Sequence, residues 1–241
     1  MKLLYLLPGN VRDGGLGEAE MLRRRDVLQA NAFPGTVVEI ADVATGPSSI
    51  ESMYEEYQSV PGSVAAIVQA EKDGFDGVIL GCAGDPGLDA AKEMVSIPVI
   101  GPGENSVLLA AQLGHHFSII TVMDSIVDAL EHLVLKAGVD RKLASVRSVN
   151  VSVLDIGKDP DLIRRRALEE AKAARDQDRA DTIVLGCMSM AFAQLDKEMS
   201  AELGIPVINP AIAALKTLES MVAMGISHSK KAFQTPPKLL K

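Results

Sequence analysis

The chain has no tryptophan, and three Tyr and five Phe bring its aromatic content to only 3% of 241 residues. Aliphatic side chains must therefore fill the core, and a hydrophobic content of 47% provides enough of them. No apolar run approaches the ~20 residues that a membrane-spanning helix needs. Leu3–Leu7, ahead of Pro8-Gly9, is too short for a signal-peptide core, so a cytoplasmic protein is expected. A long basic run is also absent and the net charge is −8, which argues against nucleic acid as a partner. Arg164-Arg165-Arg166 follows Asp159-Pro160, a helix-opening pair, and reads as a solvated helix face. There are only two cysteines, and neither has a histidine at ligand spacing, so no metal site is expected. His115 and His116 precede a predicted strand and would point to opposite faces. Gly14-Gly15-Leu16-Gly17 lacks the residues that complete a phosphate loop and reads as a lid or turn.

What the chain does contain is a duplication. Asp76-Gly-Val-Ile-Leu-Gly-Cys82 is echoed by Asp181-Thr-Ile-Val-Leu-Gly-Cys187, with four of seven positions identical and two exchanging Val for Ile. Ser96-Ile-Pro-Val-Ile-Gly-Pro102 is echoed by Gly204-Ile-Pro-Val-Ile-Asn-Pro210. Weaker echoes set Lys2–Leu7 against Phe117–Val122 and Val38–Asp42 against Val151–Asp155. Each half reads as alternating strands and helices, with continuous apolar strands of the kind found where helices cover both faces of a parallel sheet. The expected fold is α/β: two pseudo-symmetric lobes, each a short parallel sheet flanked by helices, with a cleft between them. Counted from the echoed aspartates, the first half carries eight more residues before its cysteine than the second. The surplus is assigned to Thr45-Gly-Pro-Ser-Ser49, a loop at the carboxyl edge of the sheet where α/β folds bind ligands.

The duplication places both cysteines between the end of a strand and the start of a helix. Asp85 reads as an N-cap with Pro86 first in the helix, and Ser189 reads as the N-cap after Cys187. Free cysteine usually packs as a small hydrophobe. Two at matched positions suggest instead two thiols facing each other across a pseudo-twofold axis, one taking a proton from a carbon and the other returning it. Helix N-termini favour a thiolate, by roughly 0.3–1 kcal/mol. Like-charge repulsion would keep the second thiol protonated. Backbone N–H groups of Ala83, Gly84, Met188 and Ser189 are candidates to stabilise an enolate oxygen.

Gly81-Cys-Ala-Gly-Asp-Pro-Gly-Leu-Asp-Ala-Ala-Lys-Glu93 resembles the first-cysteine motif of the hydantoin racemases, a branch of the aspartate/glutamate/hydantoin racemase superfamily. Gly46-Pro-Ser-Ser-Ile-Glu-Ser52, Phe117-Ser-Ile-Ile-Thr121 and Gly186-Cys187 extend the similarity, in order, over residues 1 to about 215. The resemblance implies Rossmann-like lobes and cofactor-independent racemisation at C5 of a 5-substituted hydantoin or allantoin, with Cys82 and Cys187 as the two bases. It implies that the C-terminal helix returns to the first lobe, giving lobes of residues 1–103 plus 212–241 and of residues 104–211. A homo-oligomer and a small-molecule substrate are implied as well. Pro8, Asn10, Ser48 and Thr121 join the four backbone donors as expected substrate contacts. The chain departs from the family pattern at Ala83, at Met188-Ser189 and at Asn209-Pro210-Ala211, all expected near the pocket.

Two other functions stay open on sequence grounds. Related two-lobe enzymes include amino-acid racemases, diacid isomerases and malonate decarboxylases. Diacids should need an electropositive pocket, and the motif loops contain no Arg or Lys. The other alternative is a non-catalytic small-molecule binding protein, whose cysteines would need no special reactivity. The basic stretch from about Ser227 reads as a mobile or partner-docked tail.

Overall fold

A computed structural model of the chain describes residues 1–239. Its two halves repeat one plan. The first half runs β1 (Lys2–Leu7), α1 (Gly17–Asn31), β2 (Val37–Asp42), α2 (Met53–Lys72), β3 (Gly77–Leu80), α3 (Leu88–Met94), β4 (Val99–Ile100) and α4 (Pro102–Leu113). The second runs β5 (Phe117–Thr121), α5 (Val127–Lys136), β6 (Leu143–Ser148), α6 (Pro160–Asp176), β7 (Thr182–Leu185), α7 (Met188–Phe192), α8 (Asp196–Leu203), β8 (Val207–Ile208) and α9 (Pro210–Met224). Strand order is β2-β1-β3-β4 in one sheet and β6-β5-β7-β8 in the other, and every pairing is parallel. The central strands β3, β5 and β7 are buried along their whole length, because helices cover both faces.

The helices begin where local chemistry supplies a cap. Ser52 accepts from the Glu55 N–H and opens α2, while Asp159 accepts from the Leu162 N–H ahead of Pro160 and opens α6. The Arg164–Arg166 run lies within α6, as the sequence predicts.

Each sheet is covered on one side by a helix that follows the other half in sequence. Leu215 and Leu218 of α9 pack on Leu3, Tyr5 and Ile79 of the first sheet. Val107 and Ala110 of α4 pack on Phe117, Ile119 and Val184 of the second. Gly77 has no side chain because Leu218 fills the space: a Cβ there would stand 2.6 Å from the leucine Cδ1.

Three expectations need correction. The second-half counterpart of β2 is β6, not Val151–Asp155, which forms turns beyond it. Counted from the true strand ends, Asp42 and Ser148, the stretches leading to the two cysteines differ by one residue, so the first half carries no eight-residue insertion. The tail after Ser227 docks on its own chain as far as it is described; its last two residues lie outside the described residues. The His228 ring accepts from the Val99 N–H at 2.8 Å, Lys230 donates to the Lys92 and Glu93 carbonyls, and Thr235 donates to the Glu93 carbonyl. Among the described residues no helix is long and apolar enough to cross a membrane.

Candidate active site

The carboxyl ends of the two sheets converge on a cavity of about 90 Å³. A water needs roughly 10–15 Å³ by this measure, so the space suits several waters or one small ring. Cys82, just past β3, and Cys187, just past β7, both line it. Pro8, Ser48, Ala83, Gly84, Met188 and Ser189 line it as well. Pro47 through Ile50 form one wall, and Ile126, Ala129 and Val153 of the second half form the facing one. The loop also bonds across the mouth: Ser125 donates to the Glu51 carbonyl at 2.6 Å, and the Val153 N–H donates to the Glu51 carboxylate.

Two expected contacts fall outside this space. Asn10 lies beyond the cavity lining, although its neighbours Pro8, Gly9 and Val11 reach it. Thr121 is fully buried, and its hydroxyl faces the Gly186 carbonyl at 3.4 Å. Asn209 also lies away from the cavity. Its side chain caps α9 by accepting from Ala211 and Ile212 and donates to the Ala191 carbonyl and to Asp196.

The surroundings of the thiols differ from the sequence expectation. Cys187 is itself the N-cap of α7, and the N–H groups of Ser189 and Met190 point to its sulfur. Cys82 is not at a helix start, because α3 begins only at Leu88 behind the N-cap Gly87. Asp85 caps a different helix: its carboxylate accepts from the Gly103 and Glu104 N–H groups at 2.9 and 2.6 Å, opening α4. The turn at Ala83-Gly84 instead folds the Gly84 N–H back to the Cys82 sulfur.

Burial dominates the acidity of both thiols. Loss of water pushes Cys82 up to about 12, and the Gly84 N–H recovers only part of that. Cys187 is pushed up for the same reason, against the Ser189 and Met190 N–H groups, the Arg24 guanidinium and the Ser189 hydroxyl. The expected lowering by helix termini is outweighed, since a dipole contribution below ~1 kcal/mol does not offset the loss of water around the sulfurs.

Two charged side chains of the cavity are invisible in the motif loops. Arg24 arrives from α1, is 3% exposed, donates to Glu20 and to the Ser189 hydroxyl at 2.9 Å each, and lies over the Phe192 ring. The cavity therefore does hold an arginine, already tied to a carboxylate. Glu56 arrives from α2 on the Cys82 side. Arg24 is one of three consecutive arginines and Glu56 one of two consecutive glutamates, so only the face each helix buries distinguishes them. Two carboxylates near strand ends are engaged away from the thiols: Glu104 pairs with Lys92, and Asp124 accepts from Ser148 and Asn150.

A family model described as Asp/Glu/Hydantoin racemase matches residues 19–218, through both halves and both thiols. The chain belongs to this racemase family. It is 40% identical over 194 residues to a hydantoin racemase of Pseudomonas sp. (strain NS671), covering 80% of this chain and 77% of that one. It is 35% identical to a hydantoin racemase of Rhizobium meliloti over 85% of this chain and 84% of that one. Among solved structures, an allantoin racemase from Klebsiella pneumoniae is similar with a TM-score of 0.89 at 30% identity, over 98% of this chain and 94% of that one. The racemase thus carries the two-sheet α/β fold expected from its sequence.

Proposed function

We propose that the racemase inverts C5 of a hydantoin-like ring, a 5-substituted hydantoin or allantoin, by passing a proton between Cys82 and Cys187. The observation that carries this reading is that both thiols, each just past the matched central strand of its sheet, line one small cavity. A ring held between them presents opposite faces of one carbon to two sulfurs. The thiolate on one side removes the C5 proton, and the thiol on the other delivers its own to the opposite face. The enzyme is left with the roles exchanged.

Burial serves this chemistry. A thiol pushed up by desolvation is seldom ionised, but its thiolate is a stronger base toward a weakly acidic carbon. Each charge raises the cost of the other, so one thiolate and one thiol coexist. The Gly84, Ser189 and Met190 N–H groups are directed at sulfur and hold whichever thiolate forms. The Ala83 and Met188 N–H groups flank the same cavity and are left to meet the enolate oxygen that develops when C5 loses its proton. Apolar walls and an arginine already paired with Glu20 favour an uncharged ring over a diacid.

Racemisation in heavy water tests the reading. Single enantiomers of 5-substituted hydantoins and of allantoin are incubated with the enzyme and, in parallel, without it. Optical rotation follows inversion, and proton NMR follows loss of the C5 hydrogen. Enzyme-dependent loss of both signals with deuterium in the product is expected. Exchange without inversion would reduce the site to one competent base, and no acceleration on any of these compounds overturns the proposal.

A further inference from the structure

We propose that Glu56 is the proton-exchange residue that resets Cys82 between turnovers. This rests on the two-thiol reading above. Each turnover leaves the proton on the thiol that began as base, and the next substrate of the same hand needs the original arrangement restored. Both thiols are only partly exposed and face an apolar cavity, so restoration calls for a group that can exchange a proton with one of them.

Glu56 meets that need by position. It is the only carboxyl among the residues lining the thiol cavity, and its side chain makes no hydrogen bond or ion pair with the described residues. The neighbouring Glu55, in contrast, is held by Ser52 and the Glu51 N–H. The point where a Cβ on Gly84 would stand is 3.5 Å from a Glu56 oxygen and 3.8 Å from the Cys82 sulfur, so carboxyl and thiol flank one open backbone position. Glu56 also lines a second cavity behind it, as do Gly84 and Ala129. That outer space is walled by Asp85, Asp89, Glu104, His132 and Lys136 and opens to solvent. Glu56 thus stands between an apolar cavity that holds both thiols and a more polar one. Burial pushes its carboxyl up, which favours the protonated form.

The step balances without a further reactant. A turnover begun by the Cys187 thiolate ends with Cys187 as thiol and Cys82 as thiolate. The protonated Glu56 carboxyl gives its proton to the Cys82 thiolate, leaving a thiol and a carboxylate. Water that enters after product leaves carries a proton from the Cys187 thiol to the Glu56 carboxylate, restoring the Cys187 thiolate and the neutral carboxyl.

Steady-state kinetics of Glu56→Gln and Glu56→Ala on the wild-type substrate test this. At low substrate the free enzyme has time to reset between encounters, so the loss should fall on kcat, by about tenfold or more, with kcat/KM within about twofold of wild type. In Glu56→Ala, added formate should restore kcat in proportion to its concentration. A raised KM with normal kcat would make Glu56 a substrate contact and overturn the assignment. Equal loss in kcat and kcat/KM without formate rescue, or no change in either, overturns it too. Failure of the wild-type enzyme on every hydantoin and on allantoin defeats the underlying reading instead, and this assignment with it.

Discussion

Cys82 and Cys187 reach one cavity from matched strand ends but rest on different supports. Cys187 has two N–H groups of a helix start, a hydroxyl and a guanidinium about it, whereas Cys82 has one N–H and two carboxyl neighbours, Asp85 and Glu56. Of the two, Cys187 is therefore the better-supported thiolate in the free enzyme. Ionisation of a thiol pushed up to about 12 is suppressed at neutral pH. In Cys187→Ala, iodoacetamide should modify Cys82 at least about tenfold more slowly at pH 8 than an ordinary thiol, with the rate still climbing above pH 10. A plateau near pH 9 would show that burial does not govern this thiol. Cys82→Ser and Cys187→Ser should each abolish racemisation while keeping slow C5 exchange of one enantiomer, opposite in the two variants. Normal turnover in either, measured by polarimetry, removes that cysteine from the mechanism.

At the scale of elements, the turn after β3 is held by the start of α4. Asp85 ties the Cys82 turn to the Gly103 and Glu104 N–H groups, and burial pushes its carboxyl from 3.8 up to about 7. Because the folded value is the higher one, folding favours the protonated form. That contribution is fully present below about pH 4 and fades as pH rises through 7. Asp85→Asn cannot ionise, so wild type should gain thermal stability relative to it as pH falls from about 8 to 5. Melting curves that keep a constant separation would refute this. Gly103 shows the same coupling sterically, since a Cβ there would stand 2.1 Å from the Ala83 carbonyl oxygen. Gly103→Ala should cost about 1–3 kcal/mol in denaturant titrations and lower activity by displacing the residue beside Cys82.

For the whole molecule, the exchange of α4 and α9 between sheets makes the halves interdependent. Leu218 is fully buried against the first sheet although it follows the second in sequence. Leu218→Ala should cost about 2–5 kcal/mol, read by chemical denaturation. A fragment of residues 1–113 leaves Leu3, Tyr5 and Ile79 uncovered and should be insoluble alone, yet recoverable on co-expression with residues 114–241. A well-folded isolated fragment would show that α9 is dispensable to the first sheet.

The sequence by itself determined the repeated α/β plan, the parallel strands and the matched positions of Cys82 and Cys187 past the ends of β3 and β7. These are written in local apolar runs and in a duplication that preserves side-chain identity. It misplaced the partner of β2, because β6, Leu143–Ser148, is a half-buried edge strand that mixes apolar, small and charged residues and resembles its counterpart in position alone. It misplaced the role of Asp85, because which N–H groups a carboxylate caps depends on a helix seventeen residues away. Only the tertiary structure decided that Arg24 and Glu56 enter the cavity while Arg23, Arg25 and Glu55 do not. A helix offers every side chain some direction, and the packing of α1 and α2 on the sheets selects the one that meets the thiols.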